Sequence, residues 1–547
     1  MDHRGPDFSQ TYKDPHHAVL GHNRLAIIDL SSDANQPFAD ESNRYHLVFN
    51  GEIYNYTELQ QELRSLYDFK TSSDTEVLLA AYIIFGRACL ERLEGMFSFA
   101  IWDAEKKTLF AARDRFGVKP FYYYQREGIF VFASEIKAIF KAGVSKTPNK
   151  TLWERYFASG SYGNPDETFW ENVQQLPGGT LLELVNGVIE TKRWYCLEDK
   201  IPSCPLNISF DDAQTQLSDL IKRSIALRFR SDVPVGLNIS GGLDSATLLS
   251  YVHQTQNSAQ NIESFSFLTN DARYDELPWV KTIINHYENP LNEVMVSPSY
   301  VINNSATISK IQDEPFGGVP TIAYSKIFKS ASRKGIRVLL DGQGMDEIFC
   351  GYDYFSKHSN STIQGTNDSP FRKKFVKGGS HHETHMAYPR PFDDALLNKQ
   401  YRDLLYTKIP RALRFNDRAS MAFSTELREP FLDHHLVEFG MSLPQDFKIK
   451  NGQGKYILRE LMKKHSPSEI TLAPKRPLQT PQREWISGPL KNFVEENLLQ
   501  IENSQFADWF NIDEIRKEWQ IYLNGNNDSS FHIWQLVNFS LLMCYEE

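Results

Sequence analysis

The run Ser240-Gly241-Gly242-Leu243-Asp244-Ser245 carries the strongest chemical signal in this 547-residue chain. A strand-like apolar stretch, Val235–Ile239, precedes it, and a helix-like stretch, Ala246–His253, follows. A strand, a glycine turn and a helix start gather free backbone N–H groups and the positive end of a helix dipole around one point, which makes an anion site. Gly241 and Gly242 let the backbone approach a phosphate, and the hydroxyls of Ser240 and Ser245 add donors. Asp244 would repel a bare phosphate, so its presence predicts a magnesium ion bridging carboxylate and pyrophosphate. No lysine follows the glycines, so this is not a Walker A loop. A second acidic glycine turn, Asp341-Gly342-Gln343-Gly344-Met345-Asp346-Glu347, follows another apolar run, Val338–Leu340. On its own it is a common kind of turn. In an open parallel sheet, however, loops at the carboxyl ends of strands converge on one crevice, so Asp346 is expected to face Asp244 and complete the metal site.

The elements that must position these loops follow from the texture of the chain. Up to about residue 195 the sequence is rich in short β-type runs: 24–28, 46–49, 97–102, 108–111 and 128–132. Asn50-Gly51 and Asn186-Gly187 read as tight turns. Asp74–Phe85 has helical spacing, with Val77, Leu78, Ala81 and Tyr82 on one face and Asp74 as the expected N-cap. Strands with a minority of helices predict an α+β domain. Residues 196–206, with two prolines and no periodicity, read as the linker. Beyond it, a helical pattern over Phe210–Phe229 is followed by apolar runs at 233–239, 264–267, 294–296 and 338–340 that alternate with helical ones, which predicts a parallel sheet with crossover helices. The polar stretch 353–395 reads as a mobile insertion.

Composition limits the function classes. The charge is −10, from 59 Lys+Arg against 69 Asp+Glu, so nucleic acid is not an expected partner. Five scattered cysteines with no CxxC pair support neither a zinc knuckle nor a disulfide framework. The longest apolar stretch, Val77–Phe85, is far short of the roughly 18 residues of a membrane span, and no apolar segment follows Met1 as in a signal peptide. A cytoplasmic protein acting on small molecules is the expectation.

The Ser-Gly-Gly-Leu-Asp-Ser string resembles the pyrophosphate loop of N-type ATP pyrophosphatases, which cleave ATP between the α and β phosphates to adenylate a substrate. Across nearly the whole chain the motifs resemble the glutamine-hydrolysing asparagine synthetases. In the first part these are His3-Arg4-Gly5-Pro6-Asp7, Leu20–Leu25, Phe49-Asn50-Gly51-Glu52-Ile53-Tyr54-Asn55, Ser73-Asp74-Thr75-Glu76 and Ala112–Gly117; in the second, Asp313–Phe316, Asp417–Met421, Glu426–Asp433 and Lys455–Arg459. The resemblance implies an Ntn-type glutaminase-like sandwich over residues 1–195 and an ATP-pyrophosphatase synthetase domain over 207–547. It implies that Arg24 holds the α-carboxylate of glutamine, that Glu52 and Asp74 take the α-ammonium, and that Asn50 with the Gly51 N–H forms an oxyanion hole. It further assigns Ile239, Phe267, Asp341 and Gly342 to the nucleotide, Asp244 and Asp346 to magnesium pyrophosphate, and Lys455 to pyrophosphate and the amidation transition state. Arg418, Glu426 and Arg428 are expected to form an ion network under the cleft. The implied substrates are ATP, a carboxylate (aspartate by family default), and glutamine or ammonia; a homodimer is compatible with the resemblance, and the sequence leaves the oligomeric state open.

Two departures qualify this expectation. Family glutaminases begin with a processed cysteine whose thiolate attacks glutamine, whereas this sequence opens Met1-Asp2-His3 and has no cysteine before Cys89. A misplaced start, a truncation and a relative that dispensed with glutaminase chemistry all account for this, and the retained glutamine-pocket residues favour the first two. As written, the chain is expected to use ammonium and to release no glutamate. The second departure is Gln343, where many family members carry an acid; a carboxamide cannot serve as a general base. Three alternatives therefore stand beside amidation by ammonia: joining of the activated carboxylate to an amine, as in β-lactam synthetases and lasso-peptide cyclases, amidation of a sugar acid, and a degenerate nucleotide-binding regulator.

Overall fold

The computed structural model describes all residues except 127, 357–376, 378–386, 474–479, 527 and 546–547. Most of the 353–395 stretch read as an insertion therefore lies outside the described residues.

The first part of the chain is antiparallel. Strands β1 (Phe8–Asp14) and β2 (Ala18–Arg24) form a hairpin. β3 (Phe38–Ala39), β4 (Tyr45–Ile53), β5 (Gly95–Asp103), β6 (Thr108–Arg113), β10 (Thr180–Val185) and β11 (Val188–Arg193) make a six-stranded sheet, while β7 (Tyr122–Arg126), β8 (Ile129–Ala133) and β9 (Val173–Gln175) make a three-stranded one. Alternation along β5 explains its central place. Phe97, Phe99 and Ile101 pack with Val77 and Leu78 of the helix Asp74–Phe85. Ala100 and Trp102 point the other way, against Phe121, Tyr123 and Leu182. Side chains on successive strand residues face opposite sides, so a strand with both faces apolar is buried between layers.

Three sequence expectations are corrected here. Asn50-Gly51 is not a turn: both residues lie inside β4, Asn50 opposite Ser98 and Gly51 opposite Phe97. Gly51 has φ +140 and its Cα lies so close to the Met96 carbonyl that no Cβ fits, so the glycine serves a close approach of strands. The apolar run 24–28 is not a strand beyond Arg24. Ile27 and Ile28 join the core of the second part of the chain, and the Asp232 N–H donates to the Ile27 carbonyl (2.9 Å). The helix over Asp74–Phe85 has the expected bounds, but Ser73 is its cap, accepting from Thr75 N–H. The Asp74 carboxylate instead accepts the Ile53 N–H at the end of β4 (2.9 Å). Asn186-Gly187 does join β10 to β11, with φ +51 and +78, the left-handed pair that a two-residue hairpin requires.

Residues 197–200 form a short 3-10 helix, and Leu197 and Ile201 are buried in the same core as Ile27. The helix Phe210–Arg228 then leads into a five-stranded sheet of β12 (Val235–Asn238), β13 (Ser264–Leu268), β14 (Leu291–Met295), β15 (Val338–Leu340) and β16 (Glu426–Arg428). All its ladders are parallel, in the order β14-β13-β12-β15-β16. The chain runs outward from β12 in one direction to β14, then returns to β15 on its other side. That reversal opens a crevice between the carboxyl ends of β12 and β15. No helix among the described residues is long and apolar enough to cross a membrane.

Candidate functional site

The crevice at the reversal is one of the two larger cavities among the described residues, and the two glycine loops line it. Val235 and Leu237 pair with Val338 and Leu340, so the loops after the two strands start at the same level. They touch: a Cβ on Gly342 would lie 3.3 Å from the Asp244 Cβ. The helix after β12 begins at Leu243, which sets Asp244 and Ser245 in its first turn. Ser245 Oγ accepts from Ser240 N–H (2.9 Å) and lies 3.0 Å from Ser240 Oγ. Gly241 has no room for a side chain against Trp279 and Glu276.

Lys455 closes the arrangement from a distant part of the sequence. Its Nζ lies 2.7 Å from both Asp244 oxygens and 2.5 Å from Asp346 Oδ1, so the two carboxylates flank one cation as the topology predicted. Lys455 has φ +57 immediately before the helix Tyr456–Met462, and its N–H donates to the Phe349 carbonyl (2.8 Å). Gly351 packs on Asp346 and Lys455 where a Cβ would not fit. The cavity, about 240 Å³, is also lined by Glu276, Tyr324, Glu347, Tyr352 and Arg459, which sequence reasoning did not single out. Ile239 and Phe267 line a smaller adjoining cavity that shares Ser240, Glu276 and Tyr324 with the main one. Burial pushes the Asp341 carboxyl up to about 6 and that of Glu347 up to about 7.

These residues suit magnesium held between phosphates. Mg²⁺ is ordinarily bound by one or two carboxylates with phosphate oxygens and waters completing its shell. Asp244 and Asp346 supply that number from opposite walls, and no group of three or more His, Cys, Asp or Glu residues among the described ones is placed to cage a metal without phosphate.

The first cavity, about 500 Å³, is lined by Arg24, Asn50, Gly51, Glu52 and Asp74. All five residues assigned to glutamine thus share one space. Two walls come from the second part of the chain, Met421 and Glu426. Arg24 is buried and its fork is engaged within its own loop, donating to the Ser31 carbonyl (2.6 Å) and Asn35 Oδ1 (2.9 Å). Asn50 Nδ2 donates to Ser134 Oγ (3.2 Å). Burial raises the Asp74 carboxyl to about 7 and pushes Glu52 well above the usual carboxylate range, the latter opposed by Arg428. His22, with its Nε2 donating to the Phe49 carbonyl, is driven down to about 4 by burial and is neutral.

Arg428 ties the second part of the chain to the carboxyl groups of the first cavity. It lies 3.3 Å from Glu52 Oε1 and 2.8 Å from Glu426 Oε1, and Lys119 reaches Glu426 at 3.5 Å. Arg418 belongs to a separate buried cluster with Glu314 (3.1 Å). The expected single network is therefore two: one beside the first cavity, with Arg428 and Glu426, and a separate one with Arg418 and Glu314.

Comparison with known proteins matches this two-part plan. The glutamine amidotransferase domain family matches residues 1–195, and the asparagine synthase family matches residues 216–544. The chain belongs to the asparagine synthase family and is an ATP-dependent C–N ligase with an N-terminal glutamine amidotransferase domain. It is 30% identical over 525 residues to asparagine synthetase (glutamine-hydrolyzing) 3 of Bacillus subtilis strain 168, covering 89% of this chain and 84% of that one. It is also 27% identical over 594 residues to amidase chry2 of Gibberella zeae, covering 93% and 88%. Among solved structures, the glutamine phosphoribosylpyrophosphate amidotransferase of B. subtilis with ADP and GMP is 20% identical over 45% of this chain and 50% of its own, with a TM-score of 0.25.

Proposed function

We propose that this enzyme adenylates a carboxylate with ATP and passes the acyl group to ammonia, releasing AMP and pyrophosphate. The observation that carries the reading is the pair Asp244 and Asp346 around Lys455 at the strand reversal. Carboxylate oxygen is a poor leaving group and AMP a good one, so adenylation makes the acyl carbon open to attack. In this reading the backbone of Ser240–Ser245 cradles pyrophosphate. Ile239 and Phe267 take the adenine side, and Asp341 and Gly342 the rest of the nucleotide. Lys455 stabilises the charge that develops on pyrophosphate. Magnesium, held by Asp244 and Asp346, would supply charge neutralisation there. Residues 1–195 act as an Ntn-type glutaminase-like sandwich with Arg24, Asn50, Gly51, Glu52 and Asp74 around glutamine, 196–206 as the linker, and 207–547 as the synthetase. Aspartate is the first carboxylate to test, with nitrogen from glutamine or free ammonium. The five unpaired thiols suit a cytoplasmic location.

A second reading is favoured by Gln343, which lines the cavity where an acid would assist ammonia: the acyl-adenylate is joined to an amine on another molecule. The likeness to a protein named an amidase keeps the carboxylate open as well. The deciding experiment is carboxylate-dependent ATP–pyrophosphate exchange by the full chain. Asp244→Asn is expected to lower exchange by roughly 10²-fold or more, since a metal-ligand carboxylate contributes several kcal/mol to transition-state charge stabilisation. Exchange near wild type would reduce Asp244 to a first-turn helix residue and overturn the reading.

A further inference from the structure

Gln343 leaves the second cavity without the acid–base group its neighbours imply, because a carboxamide does not exchange protons at accessible pH. Ammonium has no lone pair, so amidation near neutrality needs a group that takes its proton before the C–N bond forms. Most carboxyl groups around the 341–347 loop are already engaged. Asp244 and Asp346 hold Lys455. Asp341 Oδ1 accepts the Gly342 N–H (2.7 Å), and Glu347 Oε1 accepts the Tyr352 hydroxyl (2.8 Å).

Glu429 is different. It is 3% exposed, and no side chain hydrogen-bonds either of its oxygens. The groups that act on it electrostatically include the Asp341 carboxyl, the backbone N–H of Gln343, Lys119 and Arg228. It lines a small cavity between the two parts of the chain, with Tyr54, Met96 and Arg115 on one side and Arg228, Asp433 and His434 on the other. Position along the chain completes the picture. Glu426, at the start of β16, lines the first cavity. Glu429 comes three residues later, about 10 Å further along an extended chain, at the back of the loop that walls the second cavity. One short segment therefore spans from the glutamine side to the nucleotide side and carries a carboxyl group at each end. Burial, reinforced by Asp341, holds the Glu429 carboxyl well above the usual carboxylate range.

We propose that Glu429 is the proton acceptor for the nitrogen nucleophile, taking a proton from ammonium on the interdomain side of the Gln343 loop and so replacing an acid at position 343. The inference rests on the amide-ligase reading. Ammonium and the Glu429 carboxylate become ammonia and a carboxylic acid. The ammonia lone pair forms the C–N bond as the C–O bond to phosphate breaks, AMP leaves with that electron pair, and the surplus N–H proton passes to water. Glu429 then returns its own proton to water.

The test compares two nucleophiles on the full chain with ATP, magnesium and aspartate. Hydroxylamine is neutral at pH 7 and needs no deprotonation before attack, whereas ammonium does. In Glu429→Gln, amide formation from ammonium is expected to fall by about 10²-fold at pH 7, the usual scale of general-base assistance, and to recover as pH rises and free ammonia increases. Hydroxamate formation and ATP–pyrophosphate exchange should fall far less. Glu429→Asp, which keeps the carboxylate, should restore part of the ammonium rate. Equal losses with both nucleophiles, or no loss with ammonium, overturn the proposal. If Glu429→Gln also loses exchange, the Asp variant decides: exchange that returns without any return of ammonium-dependent amide formation overturns it. A wild-type chain without exchange on aspartate, glutamate or a uronic acid instead overturns the amide-ligase reading, and this inference with it.

Discussion

The two cavities solve the same electrostatic problem in opposite ways. The cavity at the parallel strand ends holds its facing carboxylates, Asp244 and Asp346, against a lysine of the same part of the chain. The cavity in the antiparallel part buries Glu52 and Asp74 with no cation of that part paired to either among the described ion pairs. The partner that reaches Glu52 is Arg428, from across the interface. A parallel sheet brings loops to one edge by topology, so its site is complete within one fold unit. An antiparallel sheet exposes a groove whose charges must be balanced by whatever docks on it. The first cavity is therefore electrostatically dependent on the second part of the chain, while the reverse does not hold.

Removing the cation of the self-contained site should have the largest effect. Lys455→Met leaves two carboxylates facing each other and is expected to lower ATP–pyrophosphate exchange by about 10²-fold, the scale of losing one preorganised charge-stabilising donor. Magnesium should then raise the melting temperature of the variant more than that of wild type, because the metal replaces the missing charge. Equal shifts in a thermal melt would show that Lys455 does not set the metal site.

The dependent site should respond to pH. Below about 7 the Asp74 carboxyl is neutral; in the proposed role, the α-ammonium of glutamine would bind the charged form. Glutamine affinity is therefore expected to be on the order of tenfold weaker at pH 6 than at pH 8, by one-proton linkage. The raised value also works against stability in the ligand-free chain, where the contribution of Asp74 is lost as pH climbs from the ordinary carboxylate range through about 7. Calorimetric titration with glutamine, alongside Asp74→Asn, checks this; a flat wild-type profile would remove Asp74 from the binding role.

The smallest effect belongs to a position remote from both cavities. Asn186 sits at φ +51 in the β10–β11 hairpin, and Asn186→Ala should cost about 1 kcal/mol through left-handed strain. The melting temperature should fall with exchange unchanged. A drop in exchange would mean that the antiparallel part steers the nucleotide site after all, contrary to the asymmetry between the cavities.

Much of the cavity at the parallel strand ends was legible because its loops are local. Ser240–Ser245 and Asp341–Glu347 each carry strand, turn and helix start within a few residues, and hydrophobic runs marked β12, β13 and β15. Lys455 and Asp346 were legible only through the resemblance and the topology of parallel sheets. The first cavity was less readable. Asn50-Gly51 has the composition of a turn but lies in a nine-residue strand, because pairing along β5 outweighs the preference of two residues. Ile27 and Ile28 look like strand residues, but their burial is against the other part of the chain.

What the sequence determined by itself is the two glycine loops and part of the element set, since periodicity and turn chemistry act over a few residues. What only the tertiary structure decided is which charges meet. Arg428 on Glu52, Lys455 between Asp244 and Asp346, and Glu429 behind Gln343 join positions far apart in the sequence, and their protonation is set by burial and by neighbours that the folded chain alone supplies.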